Sequence, residues 1–117
     1  MLTNYSLVRG DTFVRSLYFT DQSDNVIDIT GWKIFLTLKK NWQMPDSEAS
    51  LQKIITSHTD PTNGKSVLEI LPADTVNLDP YDYDYDIQVL TNAGAVYTIL
   101  RGKFKLSYDV TKGTSGI

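Results

Sequence analysis

The sequence contains no cysteine. That excludes disulfides, thiolate metal sites and thiol nucleophiles, and it fits a chain folded in a reducing cytoplasm. There is one histidine, His58, so a two-histidine zinc site has no ligands to draw on, and Ser57-His58-Thr59-Asp60 reads as a turn rather than a triad. Lys and Arg total 11 against 14 Asp and Glu, a net charge of −3, and Lys39-Lys40 is the only adjacent basic pair. A nucleic-acid partner needs clustered cations, so none is expected. No stretch approaches the roughly 18 apolar residues of a membrane-spanning helix, so no membrane partner is expected. The opening Met1-Leu2-Thr3-Asn4 lacks the charged head and apolar run of a signal peptide.

What is present describes an ordinary globular domain, with 41% hydrophobic and 21% charged residues. At 117 residues the chain has room for one core, and a chain of this size buries about two-thirds of its unfolded surface. The expectation is a single domain over residues 1–112 with a flexible tail over 113–117.

The clearest signal lies in residues 82–111, where two alternating runs flank Asn92-Ala93-Gly94 and predict a hairpin. In its first run Tyr83, Tyr85, Ile87 and Val89 share one face and Asp82, Asp84 and Asp86 the other. Residues 33–39 repeat the pattern, with Ile34, Leu36 and Leu38 pointing inward. Residues 5–8, 12–20, 51–56 and 66–71 read as further strands. In the second of these Leu17 and Phe19 face the core. Asp21 to Asn25 and Asp60-Pro61-Thr62-Asn63-Gly64 are turn formers. Residues 41–50, with Pro45, predict a loop whose Trp42 and Met44 fold back as a lid on the core. Residues 72–78 predict the one helical turn, with Val76 tucked under the sandwich, and Gly102 predicts a bulge. Together these predict an all-β, antiparallel immunoglobulin-like β-sandwich of seven to eight short strands with at most one short helical turn.

No constellation selects a reaction, and neither an enzyme activity nor a cofactor or metal is expected. The ladder Asp82, Asp84, Asp86 spaces its carboxylates about 6.6 Å apart along a strand, too spread to wrap one calcium ion, so it reads as a solvated acidic face. Arg9-Gly10-Asp11 matches the tripeptide of integrin ligands but sits where a turn between strands is needed. Trp32, Trp42, Tyr81, Tyr83, Tyr85, Tyr97 and Tyr108 are expected mainly in packing, with sugar platforms as the alternative.

The order of landmarks carries a resemblance. Arg9-Gly10-Asp11-Thr12 opens the first long strand, and Asp28-Ile29-Thr30-Gly31-Trp32 precedes the next. A turn ending Asp60-Pro61-Thr62-Asn63-Gly64 leads to Ser66-Val67-Leu68-Glu69-Ile70 and Pro72-Ala73-Asp74. Tyr85-Asp86-Ile87-Gln88-Val89, Gly102 and Asp109-Val110-Thr111 complete the series. Over residues 8–111 this succession resembles the small β-sandwich structural proteins of tailed bacteriophages and prophages. It is similar to the N-terminal domain of their upper baseplate proteins, whose chains continue into further domains where this sequence stops at Ile117. The resemblance implies a non-enzymatic virion component, in baseplate, tail, neck or head, assembled in the bacterial cytoplasm. It implies docking to other phage structural proteins, and the symmetry of virions adds self-association as a homo-oligomer. Tyr18, Phe35 and Trp42 are the candidate interface residues. The alternative is a carbohydrate-binding sandwich that recognises host glycans.

Overall fold

The computed structural model describes residues 2–111. Among these residues seven strands are formed: β1 (Tyr5–Val8), β2 (Phe13–Tyr18), β3 (Lys33–Lys39), β4 (Leu51–Ile55), β5 (Lys65–Ile70), β6 (Tyr81–Leu90) and β7 (Val96–Ser107). One helical turn, α1 (Pro72–Thr75), and two 3-10 turns, Asp46–Glu48 and Pro61–Asn63, complete the elements. The expected tail at 113–117 lies outside the described residues.

The strands form two layers. A five-stranded sheet runs β1-β7-β6-β3-β4, and a two-stranded sheet pairs β2 with β5. The core fills the space between them, with Leu17, Leu68 and Ile70 on one side and Ile34, Leu36, Leu38, Tyr83, Tyr85, Ile87, Val89, Phe104 and Leu106 on the other. The alternation in β3 and β6 therefore does what it predicts: odd positions of β6 from Tyr83 to Val89 are buried, and the aspartates point outward. The β6–β7 hairpin closes where Thr91 and Ala95 pair, with Gly94 at φ 85°.

Four expectations are corrected. The sheet is not wholly antiparallel, because β1 pairs with β7 in parallel, Tyr5 beside Phe104 through Val8 beside Ser107. After β1 the chain turns at Gly10 into the opposite layer, so no hairpin dictates the direction of β1. The register shift lies at Ile87/Gln88, not at Gly102, which pairs regularly with Tyr85. Gly102 answers a different need: a Cβ there would stand 2.2 Å from the Thr3 carbonyl oxygen, which crosses β7 at that point. In the helical turn Thr75, not Val76, is buried. Its Oγ1 accepts the Gly10 N–H at 2.8 Å, while the apolar Val76 has no seat there. Finally, Trp42 is not a lid but 71% exposed.

Candidate functional site

Two surface regions stand out, one at a pole and one on a sheet face. At the pole, Arg9 is drawn inward: its guanidinium meets Asp109 at 2.8 Å and donates to the Leu78 carbonyl at 3.1 Å. With side chains only 21% and 11% exposed, the pair joins the end of β1 to the segment after β7. Arg9-Gly10-Asp11 is thus a structural joint rather than a displayed adhesion loop, since both Arg9 and the Gly10 N–H are engaged. Around it lies a hollow of about 600 Å³, lined by Arg9, Gly10, Asp11, Pro72, Val76 and Val110 among others.

The outer face of the five-stranded sheet carries the Asp ladder. Cross-strand register aligns Gln52, Thr37, Asp86 and Arg101 in one row and Lys39, Asp84 and Lys103 in the next. Asp84 is not merely solvated: it pairs with Lys103 at 2.6 Å and accepts the Trp42 backbone N–H at 2.9 Å. That contact, with the Lys39–Asp46 pair at 2.8 Å, pins the loop of residues 41–50 to the sheet and leaves the indole outside. Asp86 is half-buried, and burial pushes its carboxyl above the usual range, opposed by the nearby Lys39 ammonium. Gln52 donates to Thr37 Oγ1 at 3.1 Å. Three adjoining hollows, of about 500, 70 and 400 Å³, run across this face, the first two sharing Trp42 and Asp84 and the last two Thr37 and Asp86.

Other sequence candidates fall into packing. His58 Nε2 faces the Trp32 carbonyl at 2.8 Å, so it carries the proton, and Nδ1 at 2.8 Å accepts from the Ser66 hydroxyl. With both nitrogens engaged, the ring clamps β5 to the segment before β3. Burial pushes the Tyr85 phenol up to about 12, and its O–H donates to the Thr3 carbonyl at 2.6 Å. Trp32 is half-buried against Phe19, whereas Tyr81, Tyr97 and Tyr108 are exposed rather than packed in the core. These three lie near strand ends, beyond the cover of a two-stranded partner layer. Among the described residues no three His, Asp or Glu side chains gather to hold a metal ion.

The three candidate interface residues do not form one patch. Tyr18, 59% exposed, lies on the outer side of the β2–β5 layer, where Lys65 approaches its ring at 6.0 Å. Phe35 and Trp42 lie on the opposite layer.

No family model matches the sequence, and no curated protein matches it. Among solved structures, a family 123 glycoside hydrolase from Clostridium perfringens, studied for glycolipid glycan hydrolysis, is similar with a TM-score of 0.41 and 15% identity. The likeness covers 93% of this chain and 23% of that one, so the chain spans under a quarter of that enzyme's length. At this similarity it carries no functional weight.

Proposed function

We propose that the chain is a non-enzymatic docking module of a tailed-phage virion, assembled in the host cytoplasm and held to other structural proteins of the particle, and to further copies of itself, through its β2–β5 layer. The observation that carries this reading is the state of that layer. Among the described residues it has only two strands, and apart from the bridge of Asp60 to Lys65 at the start of β5 each pairs with the other alone, so most of both outer edges offers unpaired backbone to a partner. Its outer face presents Val14 and Tyr18, both more than half exposed, in register with Glu69 and Lys65. Apolar side chains rimmed by charges suit a docking patch. The resemblance over residues 8–111 supports the reading from the sequence side. Its separate landmarks Arg9-Gly10-Asp11 and Asp109-Val110-Thr111 meet in the Arg9–Asp109 pair.

Light scattering of the purified chain, alone and with the structural proteins encoded beside it, tests the reading. An oligomer or a stable complex is expected, lost in the Val14→Asp, Tyr18→Asp double variant while its unfolding curve stays unchanged. A strict monomer that binds none of those proteins sinks it.

A further inference from the structure

The opposite face calls for its own account, because its side chains are arranged unlike a docking patch. Trp42 stands out of the surface with its backbone N–H fixed by Asp84, so the indole is presented on a pinned loop. Beside it the three adjoining hollows form a trough across β7, β6, β3 and β4, perpendicular to the strands. The floor sets four polar side chains in register: Gln52, whose amide N–H groups go to Thr37 Oγ1 and Asp46 and leave its carbonyl oxygen as acceptor, the Thr37 hydroxyl, the Asp86 carboxylate and the Arg101 guanidinium. Asp86 accepts no hydrogen bond from any described residue, although it is half-buried. Its oxygens reach solvent, so they are open to a ligand hydroxyl in place of water.

Charge decides the ligand class. Lys39, Arg101 and Lys103 stand against Asp46, Asp84 and Asp86, and two of the cations are already paired with two of the carboxylates. The trough therefore has no net field to attract an anionic or cationic polymer. An exposed indole beside neutral amide and hydroxyl groups and one free acceptor fits a ligand with apolar C–H faces and many hydroxyls. We infer that this trough binds a neutral oligosaccharide, with Trp42 stacking on a sugar ring and Thr37, Gln52 and Asp86 holding its hydroxyls. The sugar binds on the layer opposite the β2–β5 docking patch, so the inference goes beyond the docking reading and does not rest on it.

The test is binding of the purified chain to immobilised neutral oligosaccharides (gluco-, galacto-, manno- and N-acetylhexosamine-containing), with sialylated and sulfated sets as the charged arm. A neutral member is expected to bind, to shift the tryptophan emission, and to lose at least about tenfold in affinity on Trp42→Ala. Trp42 is exposed, so that variant folds, and its unfolding midpoint verifies this. Tyr97→Ala, an exposed aromatic outside both the trough and the β2–β5 patch, is expected to bind sugar as the parent does. No neutral binder, binding confined to the charged sets, or a Trp42→Ala variant that binds unchanged each overturns the inference.

Discussion

Gly102→Ala makes the sharpest structural test, because the strand that β1 extends depends on it. The added Cβ would meet the Thr3 carbonyl oxygen at 2.2 Å and Asn4 Oδ1 at 2.8 Å. Both belong to the segment leading into β1, and the nearer is backbone, so the segment must retreat by close to an ångström. Three contacts hold it in place. Thr3 N–H donates to the Arg101 carbonyl at 2.8 Å, Tyr85 O–H donates to the Thr3 carbonyl at 2.6 Å, and Lys103 N–H donates to Asn4 Oδ1 at 3.0 Å. At about 1 kcal/mol net each, their loss costs about 3 kcal/mol. For a domain of this size that lowers the melting temperature by about 10 °C. Tyr85→Phe removes one of the same contacts and alone costs about 1 kcal/mol. The two substitutions act through Thr3, so in urea unfolding the double variant should fall short of the sum by about 1 kcal/mol. A Gly102→Ala variant within about 0.5 kcal/mol of the parent, or strict additivity with Tyr85→Phe, would refute the reasoning.

Three further outcomes are expected. Arg9→Ala breaks a largely buried pair with Asp109 and leaves the Leu78 carbonyl without its donor, costing about 2 kcal/mol in urea unfolding, and an unchanged midpoint contradicts it. Tyr5 O–H is buried with no hydrogen-bond partner among the described residues, so Tyr5→Phe should stabilise by about 1 kcal/mol, and a loss of stability would reveal a partner for the hydroxyl. Burial raises the Asp86 carboxyl in the folded state, so the folded protein holds that proton over a window where the unfolded chain has released it. The group's contribution therefore falls as pH rises through that window, and Asp86→Asn should melt higher at neutral pH, with the advantage shrinking as pH drops into the carboxylate range. An advantage that grows on acidification reverses the sign and the argument.

Local pattern made much of the scaffold legible. Tyr83, Tyr85, Ile87 and Val89 alternate with polar residues, and so do Ile34, Leu36 and Leu38, because each strand has one face on the core. Asn92-Ala93-Gly94 and Asp60-Pro61-Thr62-Asn63-Gly64 announced their turns through residue chemistry. What stayed hidden depends on partners distant in sequence. The parallel β1–β7 pairing and the close pass of Thr3 over Gly102 join residues nearly a hundred positions apart. For the same reason Gly102 reads locally as a bulge. The candidate site was legible only in part. An aromatic in a loop with Pro45 reads as a lid, and only the Asp84 contact 42 residues away turns Trp42 outward. Likewise Asp86 looked as solvated as Asp82 because alternation reports which face a side chain takes, not how closely row neighbours such as Thr37 and Gln52 crowd it.

The claim that the chain is built into a particle meets its most direct test in quantitative mass spectrometry of purified virions from a strain that encodes it. The account predicts peptides of this chain in the particle at a fixed multiple of the other structural proteins, as a ring position requires. Particles that form without it, or traces at no fixed ratio, would contradict the account.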